Sequence, residues 1–154
     1  MTVQTQTAAE TFDLTLTRVL DAPRALVFEM WSNADHKSQW WCPKAFTLID
    51  SAENFRSGGD WMSIMEAPSG SQYRMEGTYT EIVESERIVF THHWVEDGAR
   101  GPKTLITVIF EEEGTRTRLT FTQALIDNES ARNNQQNGWN EFLDMLTSAL
   151  AERR

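Results

Sequence analysis

A chain of 154 residues fits one domain, which hides roughly 68–70% of the surface its unfolded form exposes. Its 23 Asp and Glu outnumber 14 Lys and Arg, and the net charge of −9 repels nucleic acid and anionic membranes, so neither is expected as a partner. Six Trp and eight Phe form a heavy aromatic load, of the kind that builds a large core or lines an apolar cavity.

Residues 1 to 11 are polar, rich in Thr and Gln and without periodicity, which predicts a disordered leader ahead of one domain over 12–154. They lack the basic start and apolar core of a signal peptide, and the longest apolar runs, such as Leu105 to Phe110, are far too short to cross a bilayer. With Cys42 as the single cysteine, no internal disulfide can form, and a cytoplasmic setting without membrane insertion is expected.

The run Phe12 to Leu20 alternates apolar with polar residues and reads as a half-buried strand. Pro23 suits a first helical turn, with Val27, Met30 and Trp31 as the buried side, and Asn33 caps a second short helix through Trp40. Pro43 stops it, and the adjacent indoles of Trp40 and Trp41 are expected on different sides of the chain, at least one facing inward.

Strands are predicted at Phe46–Asn54, Asp60–Glu66, Tyr73–Glu84, Arg87–Trp94, Thr104–Glu112 and Arg116–Leu125. Turn signals separate them at Ser57-Gly58-Gly59, Ala67 to Gly70, Asp97-Gly98 to Pro102 and Glu113-Gly114-Thr115, so successive strands form an antiparallel meander. From Asn128 to Arg154 the pattern becomes one long amphipathic helix with Trp139, Phe142, Leu143, Leu146 and Leu150 on its apolar stripe. The fold class is therefore α+β, a curved antiparallel sheet of about seven strands gripping a terminal helix, with two short helices after the first strand.

Alternation assigns the inward rows: Trp61, Ser63 and Met65; then Tyr73, Met75, Gly77 and Tyr79; then Ile88, Phe90, His92 and Trp94. Ile106, Val108 and Phe110 follow, with Leu119, Phe121 and Gln123 closing the set. Ser63 and Gly77 are small among aromatics and are expected to leave local volume, and Gly138 is expected to serve close contact between helix and sheet. The same rows also describe a dry, filled core, the reading that dense native packing favours from the pattern alone.

Polar groups on those rows are where chemistry would lie. His92 and Tyr79 are the acid/base candidates, set against a buried imidazole that merely hydrogen-bonds a neighbour. His92 and His93 point to opposite faces and no Cys or His pair has zinc spacing, so no metal or cofactor is expected. Gly58-Gly59 lacks the lysine of a phosphate loop, no nucleophile elbow is present, and Cys42 reads as an inert thiol beside the indoles.

Several segments in register resemble a known family. Gln39-Trp40-Trp41-Cys42-Pro43 is similar to its "WWGP" signature, Arg56 to Trp61 to its "RxGG" turn, and Gly77 to Ile82 to its "GxYxEI" strand. Glu86 to Thr91, Thr115 to Thr120 and Gly138-Trp139 follow in the same order. The family is named after the activator of the ninety-kilodalton heat-shock protein's ATPase and belongs to the START-like, or SRPBCC, helix-grip superfamily. The chain departs from it at Cys42, where glycine is usual, at Gln123, where many members carry His, and at Ser63, where a large aromatic is common.

The resemblance implies a cavity between sheet and terminal helix that binds a small hydrophobic or aromatic molecule. Its lining would be Trp40 and Trp41 from the signature, Trp61, Ser63, Met65, Met75 and Tyr79 from the middle strands, and Phe90, His92, Phe121 and Gln123 beyond them. Trp139, Phe142, Leu143 and Leu146 would face them from the helix. The alternatives it leaves open are a cyclase- or hydrolase-type enzyme using His92 or Tyr79, and a co-chaperone-like module. The last would bring a chaperone partner, and a homodimer is left open beside all three.

Overall fold

The computed structural model describes residues 10–153, so nearly all of the expected leader lies outside the described residues; Glu10 and Thr11 are exposed and without regular structure. The elements run β1 (Phe12–Leu20), α1 (Arg24–Ser32), α2 (Ala34–Lys37), β2 (Thr47–Glu53), β3 (Asp60–Glu66), β4 (Gln72–Val83), β5 (Arg87–Glu96), β6 (Ala99–Arg100), β7 (Thr104–Glu113), β8 (Arg116–Ile126) and α3 (Glu129–Ala151). The α+β architecture is as expected, an antiparallel sheet in the order β1-β8-β7-β5-β4-β3-β2 with one strand more than predicted.

The extra strand is β6, which pairs with the end of β5 through Val95↔Arg100 and Glu96↔Ala99. Asp97 and Gly98 between them both have positive φ, 52° and 80°, the backbone of the tight hairpin turn that an Asp-Gly pair favours. Read as part of a longer loop, that pair conceals the strand that follows it.

Local chemistry sets the helix starts. The Pro23 carbonyl accepts from Leu26 and Val27 to open α1, the Asn33 side chain accepts from the His36 N–H at α2, and the Asn128 side chain accepts from Ala131 at α3. Helix α3 buries Trp139, Phe142, Leu143, Leu146, Ala149 and Leu150, and α1 buries Val27, Phe28, Met30 and Trp31. Arg18 on β1 ties α3 to the sheet edge through Asp144 Oδ1 at 2.8 Å and the Asn140 carbonyl at 3.2 Å.

The inward rows are largely as expected, with Trp61, Ser63, Met65, Met75, Tyr79, Phe90, His92, Phe121 and Gln123 all buried. Tyr73 differs, being 44% exposed, because it lies at the start of β4 against Phe46 with the ring centroids 6.0 Å apart. Trp40 and Trp41 also differ: α2 ends at Lys37 and not at Trp40, and the two indoles, expected on different sides of the chain, follow in the turn after it and are both buried, with ring centroids 5.3 Å apart.

Candidate functional site

The small residues do not open the interior. At Gly77 a Cβ would overlap the Thr91 carbonyl and stand 2.7 Å from Trp61 Nε1, so the glycine is required first by the close approach of the β5 backbone, with the indole filling the space beside it. That indole donates to the Thr91 carbonyl at 3.1 Å. Ser63 is 1% exposed and its hydroxyl accepts from Trp41 Nε1 at 3.2 Å.

Around these contacts the aromatic load is spent on core. Trp41 meets Trp31, Trp61, Trp139 and Phe142 at centroid separations between 5.0 and 6.1 Å, and Phe121 meets Trp139 at 4.9 Å. Trp40, Tyr79, Phe90, His92, Phe121, Gln123, Leu143 and Leu146 therefore stand in packed interior.

Open volume lies at one end instead, in a groove of about 880 Å³ between α3 and the ends of β3, β4 and β5. Of the expected lining residues it brings together Met65, Met75, Trp139 and Phe142. Phe46, Tyr73 and Trp94 add aromatic wall, and Ala131, Gln135 and Gly138 complete the helical side. No neighbouring atom lies within 4 Å of where a Gly138 Cβ would be, which corrects its expected close contact with the sheet: its missing side chain widens the groove. Gln135 was missed, although it precedes Trp139 by one helical turn and so shares its stripe.

A second, smaller cavity of about 30 Å³ lies between α2, β2 and β3, with Lys37, Trp41, Glu53, Trp61 and Ser63 on its walls. Lys37 Nζ donates to Glu53 Oε1 at 3.0 Å and to the Tyr79 hydroxyl at 3.1 Å, the Tyr79 hydroxyl donates to the same carboxylate oxygen at 3.0 Å, and the ammonium lies 4.3 Å from the Trp41 ring centroid. Burial lowers the Lys37 pKa against the opposing pull of Glu53. Burial, reinforced by the Glu53 charge, raises the Tyr79 phenol well above its usual value, so Tyr79 holds its proton at neutral pH.

A family model for the activator of Hsp90 ATPase homolog 1-like protein matches residues 21–151. The chain belongs to this family. Among solved structures, the AHSA1 protein of Silicibacter pomeroyi is 25% identical with a TM-score of 0.87, covering 93% of this chain and 100% of that one. An uncharacterised protein of Rhizobium leguminosarum is 30% identical with a TM-score of 0.81, covering 96% and 98%. A protein of Chromobacterium violaceum is 25% identical with a TM-score of 0.80, covering 90% and 96%. No curated protein matches the chain.

The three departures of this Hsp90 ATPase activator homolog-like chain from the family pattern have structural settings. Cys42 is buried, its thiol donating to the Phe46 carbonyl at 3.5 Å, and burial pushes its pKa up, away from the reactive thiolate. Ser63 receives the Trp41 indole. Gln123, fully buried, bonds Trp139, Thr104 and Gln135.

His92 lies among Trp61, Trp94 and Trp139, with Nε2 3.1 Å from the Met75 sulfur and Nδ1 buried without a hydrogen-bond partner. Burial, with His93 beside it, lowers its pKa from 6.5 to about 3, which removes it as a proton carrier near neutrality. The unfolded chain binds a proton at this position that the folded chain refuses, so stability falls as pH drops from about 6.5 toward 3. Urea denaturation across that window is expected to show wild type losing ground to His92→Phe, with a slope approaching about 1.4 kcal/mol per pH unit. Parallel curves would contradict it.

Among the described residues no helix is long and apolar enough to cross a membrane, and no group of three or more His, Cys, Asp or Glu is placed to hold a metal ion.

Proposed function

We propose that this protein binds a small hydrophobic or aromatic molecule in the groove beside α3. The observation that carries the reading is the groove itself: about 880 Å³ walled by Trp139, Phe142, Met65, Met75 and Trp94, within the roughly 300–1,000 Å³ typical of small-molecule sites. Thioether and aromatic walls suit an apolar guest, since methionine adapts its shape and aromatics supply flat contact area. A cytoplasmic setting is in keeping with a lone, buried thiol.

The enzyme reading lacks such support, because Tyr79 is engaged by Lys37 and Glu53 and His92 stays neutral behind the groove wall. A chaperone-binding or homodimer surface would need a contiguous apolar patch. The exposed large apolar residues Val19, Ile49, Tyr73 and Leu125 are instead scattered: Val19 and Leu125 fall at opposite ends of the β1–β8 pair, Ile49 on β2 and Tyr73 on β4.

Titration with the neutral dye Nile red is expected to saturate at one site and raise the thermal midpoint. Gly138→Leu, which places a side chain in the groove, is expected to abolish that binding, whereas Gly138→Ala should stabilise the free protein by roughly 0.5–1 kcal/mol through helix propensity. Absence of saturable binding to wild type, or undiminished binding to Gly138→Leu, would overturn the reading.

A further inference from the structure

The polar chain behind the groove has a direction set at both ends. The Trp139 indole N–H can only donate, so the Gln123 atom 2.8 Å from it is the carbonyl Oε1. At the other end the Thr104 hydroxyl gives its hydrogen to the His92 carbonyl at 3.2 Å, which leaves Thr104 Oγ1 to accept from Gln123 Nε2 at 2.9 Å. The second hydrogen of Gln123 Nε2 then goes to Gln135 Oε1 at 2.7 Å. Turning the Gln135 amide over would set one NH₂ group against another, so its orientation follows from groups that cannot be reversed.

Gln135 lines the groove, and with its oxygen committed to Gln123 the polar group it has left is an N–H donor. Charge narrows the choice further. Glu96 and Asp97 line the same groove without ion-pair partners among the described residues, while the Arg74 guanidinium is held by Glu76 at 3.0 and 3.1 Å. An anionic guest would meet two free carboxylates there and no uncommitted cation.

We infer that the groove selects a neutral, largely apolar molecule carrying one hydrogen-bond acceptor, such as a ketone, ester or ether oxygen, which receives the N–H of Gln135, with Gln123 as the positioning residue that fixes that donor. This inference rests on the groove being a ligand site. A neutral acceptor suits the site because Gln135 is half-buried and lines a groove with aromatic walls, where a donor left unmatched by an apolar guest loses its water for nothing in return.

The test compares four naphthalene probes by quenching of Trp fluorescence: acetylnaphthalene, ethylnaphthalene and naphthoate, with aminonaphthalene added for one variant. Wild type is expected to hold acetylnaphthalene about tenfold more tightly than ethylnaphthalene, and naphthoate least of the three. Gln135→Leu should bring the first two to equal affinity. Gln135→Glu, which keeps an oxygen for Gln123 and replaces the donor by a second oxygen, should move the preference from acetylnaphthalene to aminonaphthalene. Gln135 is only partly buried, so both variants are expected to fold, as the thermal midpoint will show. Gln123→Met should weaken the preference among probes more than the affinity for ethylnaphthalene.

Equal binding of acetylnaphthalene and ethylnaphthalene to wild type would overturn this inference while leaving the groove a ligand site. Tighter binding of naphthoate would overturn the neutral head group. Failure of all probes to bind would remove the underlying reading and the inference with it.

Discussion

Trp41→Ala is expected to destabilise the protein by about 3–5 kcal/mol, the upper range for removing a buried aromatic from a core. The side chain is 2% exposed and stands where α2 ends, with Trp31 and Trp40 on one side, Trp61 below and Trp139 and Phe142 of α3 beyond. Its removal takes away edge contacts worth roughly 0.5–1.5 kcal/mol each beyond area burial, and the cavity left behind cannot collapse because rigid rings form its walls. Two polar groups lose their partner as well: the Ser63 hydroxyl its indole donor and the Lys37 ammonium the ring face 4.3 Å away. Urea denaturation followed by far-UV circular dichroism measures the effect, with Trp41→Phe retaining part of the packing and losing the Ser63 bond. Trp94, half-buried on the groove wall, provides the contrast, since Trp94→Ala should lose clearly less. A loss below about 2 kcal/mol for Trp41→Ala would mean that the aromatic cluster is loosely packed.

This centrality explains what could and could not be read from the chain alone. Alternation places Trp61, Met65, Met75, Phe90 and Phe121 on one face because the pleat leaves a strand residue only two directions. The helix stripe follows from its 3.6-residue period in the same way. Neither period says how far an inward side chain is from the next one across the core. Gly77 therefore reads as a gap, when the Thr91 carbonyl of the neighbouring strand and the Trp61 indole lie in the space a side chain would need. Conversely Gly138 reads as a point of close approach, when the helix stands clear of the sheet there. Trp40 and Trp41 obey no strand alternation because they occupy a turn, where backbone angles change from residue to residue and the two rings can enter the same interior. The family signature locates the pair without showing that both are consumed by packing. Gln135 illustrates the remaining gap: a polar residue on an apolar stripe looks like surface until the distant Gln123 is found to hold it. Lys37 escapes notice for a similar reason, since its partners Glu53 and Tyr79 come from strands whose distance in the chain gives no hint of contact.

Lys37→Met is expected to cost about 3–5 kcal/mol, more than loss of a surface ion pair by several-fold. The pair is enclosed, with 9% and 11% of the Lys37 and Glu53 side chains exposed, so both charges have given up water for one another. Removing the ammonium leaves a carboxylate whose Oε1 keeps only the Tyr79 hydroxyl and whose Oε2 is already buried without a protein partner. The loss then measures the stranded charge more than the attraction that was broken. A double-mutant cycle separates the two. Lys37→Met with Glu53→Met removes both charges and should recover most of the single-mutant loss, giving a coupling energy of several kcal/mol. Tyr79→Phe, which deletes one hydroxyl shared by both ions, should cost about 1–3 kcal/mol in wild type and far less in the doubly neutral background, where no charge needs that hydroxyl. If the double variant were as unstable as the sum of its parts, the triad would be three independent packing residues, and the tie it makes between α2, β2 and β4 would owe nothing to charge.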